Sequence, residues 1–389
     1  MTEGAPRQPN KDKKTITSPE KKERYQAFAE EFQERLQKGA LDVLSENRKE
    51  ALKRFGIESS ESISNSVHSG VIIMNKRGEE VGKAGRTMDV DRRINGASST
   101  KVVNSLFMLI SLSEQGLVDL NDIDRKQLPK SIKERIGNDG SKEEYIEENE
   151  ISVREYLERI LGYSDNPQLS ALRKMYVSHF KAEPNVELNP MDVLQNRINQ
   201  ELNTTSNNKK YISRGTLDAR IMPPFGNTAP LKTILESFRY SVRLCKDKES
   251  KLPKEFRKVF LSSLKILPEE VVDITKGTKS LRLLHTFKRQ NPDKEIREKS
   301  GWYADQGDDM NTINSFSEVK IEGKTYYVGW YVEAPELITK KMVDETSDND
   351  KDQGEILGEY RILHQWRFMK NAGEVIKKIS KLKEFKLFT

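Results

Sequence analysis

The chain has 389 residues, with 67 Lys and Arg against 61 Asp and Glu and a formal net charge of +6. A chain this long can bury about three-quarters of its unfolded surface without staples, and its single cysteine, Cys245, excludes a disulfide framework and a cysteine-based metal site. The longest apolar run, residues 102–112, is broken by Asn104, Ser105 and Ser111, well short of the ~20 residues of a membrane helix.

Basic clusters stand only at the two ends, without interleaved aromatics, so no nucleic-acid partner is expected. His68, His179, His285 and His364 are scattered without ligand spacing, so no metal is expected either. The first residues hold no apolar signal core. That leaves the compartment open: cytoplasmic at face value, periplasmic or extracellular if a signal has been removed.

In chain order, residues 1–18 read as a flexible tail rich in Lys, Pro and Thr. Ser18 as N-cap and Pro19 at the first helical position open a helix to about Phe55, with Tyr25, Phe28, Phe32, Leu36 and Leu41 at spacings of three to five. The period then shortens. Residues 69–75 form a β run, Lys76-Arg77-Gly78 a turn, and 80–84 a returning strand. From Ser98 to about Arg289 the pattern is helical with polar loops, and the charge run at 142–150 reads as solvated surface.

β character returns at 296–302, followed by a hairpin of 311–321 and 325–333 turned at Glu322-Gly323-Lys324. An acidic loop at 344–352 precedes a long terminal helix at 355–383. The order predicts an α+β fold: an antiparallel sheet assembled from both chain ends and flanked by terminal helices, with an inserted all-helical lobe. The expected division places 19–95 and 290–389 in an α/β lobe and 96–289 in the helical lobe.

Three motifs carry chemistry. Ser98-Ser99-Thr100-Lys101 opens the most apolar helix of the chain, closed near Gly116. A serine at that end meets free backbone N–H groups and the positive pole of the helix dipole. Lys101 lies three residues on, on the same face. A lysine in a buried, partly cationic site can lose its proton and act as a base. The S-x-x-K pattern itself occurs seven times, so its position singles it out.

The second motif is Ser164-Asp165-Asn166, on a tight loop after a helix opened by the capping box Ser152-Val153-Arg154-Glu155 and ended at Gly162. The repeat at Ser347-Asp348-Asn349 reads as chance. The third is Lys299-Ser300-Gly301-Trp302 on the first returning strand, the only K-[ST]-G in the chain. There a cation and a hydroxyl precede a glycine that allows close backbone approach.

In this order the three motifs resemble the signature of the serine β-lactamase and penicillin-binding-protein superfamily, class A β-lactamases in particular. The likeness spans about residues 19–389 and includes Ile110 to Leu120, the capping-box helix, and the final hairpin with its helix. The resemblance implies a β-lactamase-like fold and a serine acyl hydrolase, acting as a monomer on a small-molecule or peptide-like amide, with no cofactor. By the same resemblance Ser98 is the nucleophile, Lys101 its base, and Ser164 a proton relay to the leaving nitrogen. Asn166 would bind a side-chain amide of the substrate, and Lys299 and Ser300 its carboxylate. The backbone N–H groups of Ser98 and Trp302 would form the oxyanion hole.

Two departures qualify the activity. Aligning Asn227-Thr228-Ala229-Pro230 with the family's T-x-x-P segment puts Arg214 where a deacylating Glu is expected, and Asp218 is the only acid between Asn203 and Pro230. Either the acyl-enzyme hydrolyses slowly, as in a penicillin-binding peptidase or esterase, or Asp218 or another carboxylate serves as base. The rim after the third motif is also acidic, with Asp305, Asp308 and Asp309 and no Lys or Arg from 303 to 318. That favours an uncharged or cationic amide or ester. A catalytically idle binding relative, with the basic C-terminal helix as contact surface, is the reading from another class.

Overall fold

The computed structural model describes residues 19–57, 66–85, 93–130, 132–136, 142–146, 150–181, 190–205, 228–266, 294–304, 310–321 and 323–379. The tail 1–18, Arg214, Asp218, Asp305, Asp308 and Asp309 lie outside them.

Helix α1 (Pro19–Phe55) leads into β1 (His68–Asn75) and β2 (Glu80–Ala84). The chain returns to the same sheet in β9 (Arg297–Ala304), β10 (Met310–Ile321) and β11 (Lys324–Pro335). The five strands are ordered β2-β1-β11-β10-β9 and pair antiparallel throughout. This is the α+β architecture read from the sequence, with both chain ends contributing to one sheet.

The continuous apolar run in β1 follows from burial on both faces, which removes the alternation of a half-exposed strand. Val71 and Ile73 join a core with Phe28, Phe32 and Leu36 of α1 and with Phe368, Ala372 and Ile376 of the C-terminal helix α9 (Lys351–Ile379). Ile72 and Met74 face the other way, into a second core with Val102, Leu106 and Leu109. A hydrogen bond of 2.8 Å from Tyr25 to Tyr326 ties α1 to the sheet.

The second core belongs to the inserted lobe. Its centre is α2 (Lys101–Glu114), surrounded by α3 (Val153–Leu157), α4 (Asn166–Lys181), α5 (Pro190–Thr205), α6 (Leu231–Lys246) and α7 (Lys254–Ser263). The lobe is not purely helical. It also holds the short pairs β3 (Arg93–Asn95) with β8 (Thr228–Pro230), β4 (Lys126–Pro129) with β7 (Glu150–Ser152), and β5 (Ile132–Ile136) with β6 (Lys142–Ile146). Part of the run at 142–150 is therefore strand, in a register that sets Arg135 opposite Glu143. Neither IKERI nor KEEYI alternates apolar with polar residues, so the charge run gave no strand signal.

The expected acidic loop at 344–352 is largely helix α8 (Lys340–Asn349), and α9 begins at Lys351 rather than 355. The Thr339 hydroxyl caps α8 by accepting the Met342 N–H at 3.1 Å. Lys340–Asp344 at 3.4 Å and Lys341–Glu345 at 3.6 Å then offset the acidic charge along it. Ser347 and Asn349 bond only to backbone carbonyls of this helix. No helix among the described residues is long and apolar enough to cross a membrane.

Candidate active site

Ser98 stands in a 3-10 turn, Ala97–Thr100, immediately ahead of α2. Eleven of the fourteen residues of α2 are buried, so its first turn is held inside the lobe. Ala97 has φ 43°, one of two non-glycine residues with positive φ among those described; the other is Ser164 at φ 63°. Such backbone costs about 1–3 kcal/mol per residue and persists where surrounding bonds over-determine it.

Those bonds are visible around Ala97. Its N–H donates to Asn95 Oδ1 at 2.9 Å, and the Thr100 hydroxyl donates to the Ala97 carbonyl at 2.9 Å. Ser99 N–H donates to the Gly96 carbonyl at 2.9 Å. The Ser99 hydroxyl meets Asn314 Oδ1 and lies 3.4 Å from the Lys299 carbonyl, while Asn314 Nδ2 donates to the Asn95 carbonyl at 2.8 Å. Asn95, Ser99 and Asn314 thus fix the Ser98 turn against β9. None was singled out for this role from the sequence, because β10 carries polar residues at Asn311, Thr312, Ser315 and Ser317 as well, and Asn314 does not stand out among them.

Gly301 explains how close the two segments come. A Cβ there would lie 2.8 Å from the Gly96 carbonyl oxygen, 2.9 Å from Ala97 Cβ and 2.9 Å from Asn314 Oδ1. The close approach that this glycine permits is made by the chain itself, rather than by a substrate backbone.

The Ser164 loop is built differently from expectation. Ser152 does cap α3, accepting the Glu155 N–H at 3.1 Å. The helix does not stop at Gly162. It widens into a π-helical stretch, Glu158–Tyr163, and ends on the left-handed Ser164. Gly162 is small for packing: an added Cβ would lie 2.9 Å from Ile266.

Two fully buried lysines meet at Ser164. Lys101 Nζ donates to the Ser164 carbonyl at 2.6 Å, lies 3.2 Å from its hydroxyl, and also donates to Asn166 Oδ1. Lys299 Nζ donates to the same hydroxyl at 2.9 Å and to the Ser300 carbonyl at 3.1 Å. Both lysine residues are 0% exposed. The lysines of two other S-x-x-K matches, Lys265 and Lys320, are exposed at the surface. Lys101, Ser164, Asn166 and Lys299 are thus brought together from three separate motifs. Ser98 is half-buried one turn before Lys101, whose amine engages Ser164 and Asn166.

Ser300 does not join them. Its side chain lies on the opposite face of the sheet, with its hydroxyl 3.0 Å from Ser315 Oγ, which donates to the buried Glu298 at 2.7 Å. The Trp302 indole packs on that face too, against the core of α1 and α9, leaving only its backbone near the Ser98 turn. Strand alternation accounts for both, since Lys299 and Gly301 share one face while Ser300 and Trp302 share the other.

Below the cluster the Ser105 hydroxyl lies 3.3 Å from Tyr156 OH, and burial pushes that phenol up, keeping it protonated. Asn104, one turn beyond Lys101, is buried with both side-chain amide atoms unpartnered. Cys245 is buried away from this cluster, and burial pushes its thiol up. Among the described residues no three His, Cys, Asp or Glu side chains converge as a metal site would need.

No protein-family profile matches the sequence, and no curated protein matches it. Solved structures do. A class A β-lactamase from Bacteroides cellulosilyticus is similar at 11% identity and TM-score 0.43, over 88% of this chain and 98% of that one. The TLA-3 extended-spectrum β-lactamase is similar at 14% identity and TM-score 0.41, over 82% and 97%. The TP domain of penicillin-binding protein 3 from Burkholderia pseudomallei is similar at 8% identity and TM-score 0.42, over 84% and 93%.

Proposed function

We propose that the chain is a serine acyl hydrolase that forms an acyl-enzyme on Ser98 with an amide or β-lactam substrate. The observation that carries this reading is the convergence on the Ser164 hydroxyl of Lys299 and of Lys101, which stands one turn along the chain from Ser98.

The contacts of Lys101 support a proton path through it. The Ser164 carbonyl and Asn166 Oδ1 can only accept, so Lys101 gives them two N–H bonds. Its third contact is with the Ser164 hydroxyl, with which it can exchange a proton. In its neutral form Lys101 can take the proton of Ser98 as that hydroxyl attacks the carbonyl; the Ser164 hydroxyl then passes its own proton to the departing nitrogen and is reprotonated by Lys101. Lys299, donating to Ser164, supplies positive charge where the leaving group and any substrate carboxylate would lie. An idle site has no physical need to bury two lysines against one hydroxyl, which is costly unless they are used.

The backbone N–H groups of Ser98 and Trp302 serve as the oxyanion hole in this reading. The contact at Gly301 supports it by bringing the two segments together. Substrate carboxylate binding falls to Lys299 alone, because the Ser300 hydroxyl is engaged on the other face. Asn166, already bonded to Lys101, would meet a substrate amide through its Nδ2.

A second reading, acylation with slow hydrolysis, is favoured by Arg214 standing where a deacylating carboxylate is expected. Steady-state hydrolysis of a penicillin and of an uncharged aryl ester, with wild type and Lys101→Met, tests the proposal. Turnover of either substrate that disappears in the variant supports it, and turnover unchanged in the variant removes Lys101 from the mechanism.

A further inference from the structure

A second polar cavity, of about 610 Å³, opens where α6 crosses the sheet near the β1–β2 turn. Its lining includes Lys76, Arg239, Tyr240, Arg243, Lys246 and Tyr327, none of which belongs to the cluster around Ser164. Two carboxylates, Asp247 and Glu318, line it against four cations. Lys246 is committed to Glu318, whose other oxygen accepts from Arg297 at 2.7 Å. Lys76, Arg239 and Arg243 have no carboxylate or hydrogen-bond partner among the described residues.

Arg239 is the decisive group. It is 2% exposed, and its Nε and Nη1 are buried with no partner. The guanidinium lies against Gly78, where an added Cβ would come within 2.6 Å of Nη2. Burial, and then the charge of Arg243, disfavour its charged form; Glu236, on the preceding turn, offsets this only in part. A buried cation compensated only in part is costly to a fold and marks a place where an anion would relieve it.

We propose that this cavity binds a small organic phosphate. Two arginines one helical turn apart present planar donor forks suited to phosphoryl oxygens, and Lys76 adds a point charge. Three unpaired cations suit a dianion better than a single carboxylate. The cavity falls in the size range of small-molecule sites, so an inorganic ion would leave most of it unfilled. Tyr240 and Leu244, both half-buried, offer apolar surface to the rest of the ligand.

The test is calorimetric titration of the full chain with phenyl phosphate, benzoate and inorganic phosphate. Phenyl phosphate is expected to bind saturably and at least tenfold more tightly than either other probe. Arg243→Glu, an exposed substitution, should weaken it at least tenfold. Arg239→Met should abolish it, with unliganded thermal stability kept or raised because an unpaired cation is removed. Lys299→Met should leave binding unchanged. Absence of saturable binding overturns the proposal. So does benzoate or inorganic phosphate binding as tightly as phenyl phosphate, or loss in Lys299→Met with none in Arg243→Glu, which would place the anion beside Ser164.

Discussion

Gly301→Ala probes the joint between β9 and the Ser98 turn. The added methyl would face the Gly96 carbonyl oxygen at 2.8 Å, where ordinary contact begins at 3.4 Å, with Ala97 Cβ and Asn314 Oδ1 both at 2.9 Å. None of the three can swing aside. One is backbone, one is a methyl on a residue at φ 43°, and Asn314 is tied to Asn95 and Ser99. Overpacking of this kind costs about 1–3 kcal/mol. With an unfolding entropy of about 2.1 cal/mol/K per residue, a chain of this length should lose roughly 1–4 °C in Tm. The least costly relaxation moves Ser98 away from β9 by about half an ångström; a 1 Å misplacement can cost about 100-fold in rate, so acylation should slow roughly tenfold. Calorimetry and the rate of covalent labelling by a fluorescent penicillin read the two effects. Slower labelling with Tm unchanged would mean that Gly301 serves only the substrate, and no change in either would refute the packing argument.

Further outcomes follow from other parts of the structure. Lys299→Met should slow acylation about 100-fold, an effect typical of a lost electrostatic donor, with Tm held or raised; a drop below threefold would remove Lys299 from the site. Burial pushes the His364 imidazole down to about 4, against an ordinary value near 6.5. The folded state therefore resists a proton that the unfolded chain accepts, so this stabilisation is complete above pH 6.5 and declines as pH falls toward 4. Between pH 7 and 5 it should cost at most about 2 kcal/mol, and His364→Gln should flatten that part of the Tm profile; an equally steep profile in the variant would contradict it. Arg297→Met leaves the buried Glu318 with Lys246 and Tyr327 alone. Breaking a buried pair costs about 3–5 kcal/mol, readable as a shifted urea midpoint, and a loss under 1 kcal/mol would show that Lys246 suffices.

Much of the fold was legible because its signals are local and strong. The apolar run of β1, the hairpin of β10 and β11, and the Ser152 capping box each state their structure within a few residues. What could not be read was relational. Nothing local says that Ser300 turns its hydroxyl to the far face, since that depends on which side of β9 the lobe packs. Nor does the sequence show that Gly301 is needed by Ala97, or that Ser164 ends its helix in a left-handed conformation. The α8 helix was missed because acidic residues read as loop until their lysine partners one turn away are counted. At the site, residue types and order were visible, while Asn95 and Asn314 belong to no motif and Ser99 fills an unspecified position of one, so their supporting roles appear only once β10 and the Ser98 turn are brought together.

The central claim is that Ser98 becomes acylated. Intact-mass spectrometry of wild type and Ser98→Ala after incubation with a penicillin, with peptide mapping of any adduct, tests it most directly. The account predicts an adduct of one intact drug mass on the Ser98 peptide of wild type and none on the variant, or, where deacylation is fast, drug loss that the variant abolishes. An adduct that persists in Ser98→Ala, or neither adduct nor drug loss with penicillin and aryl ester alike, would contradict it.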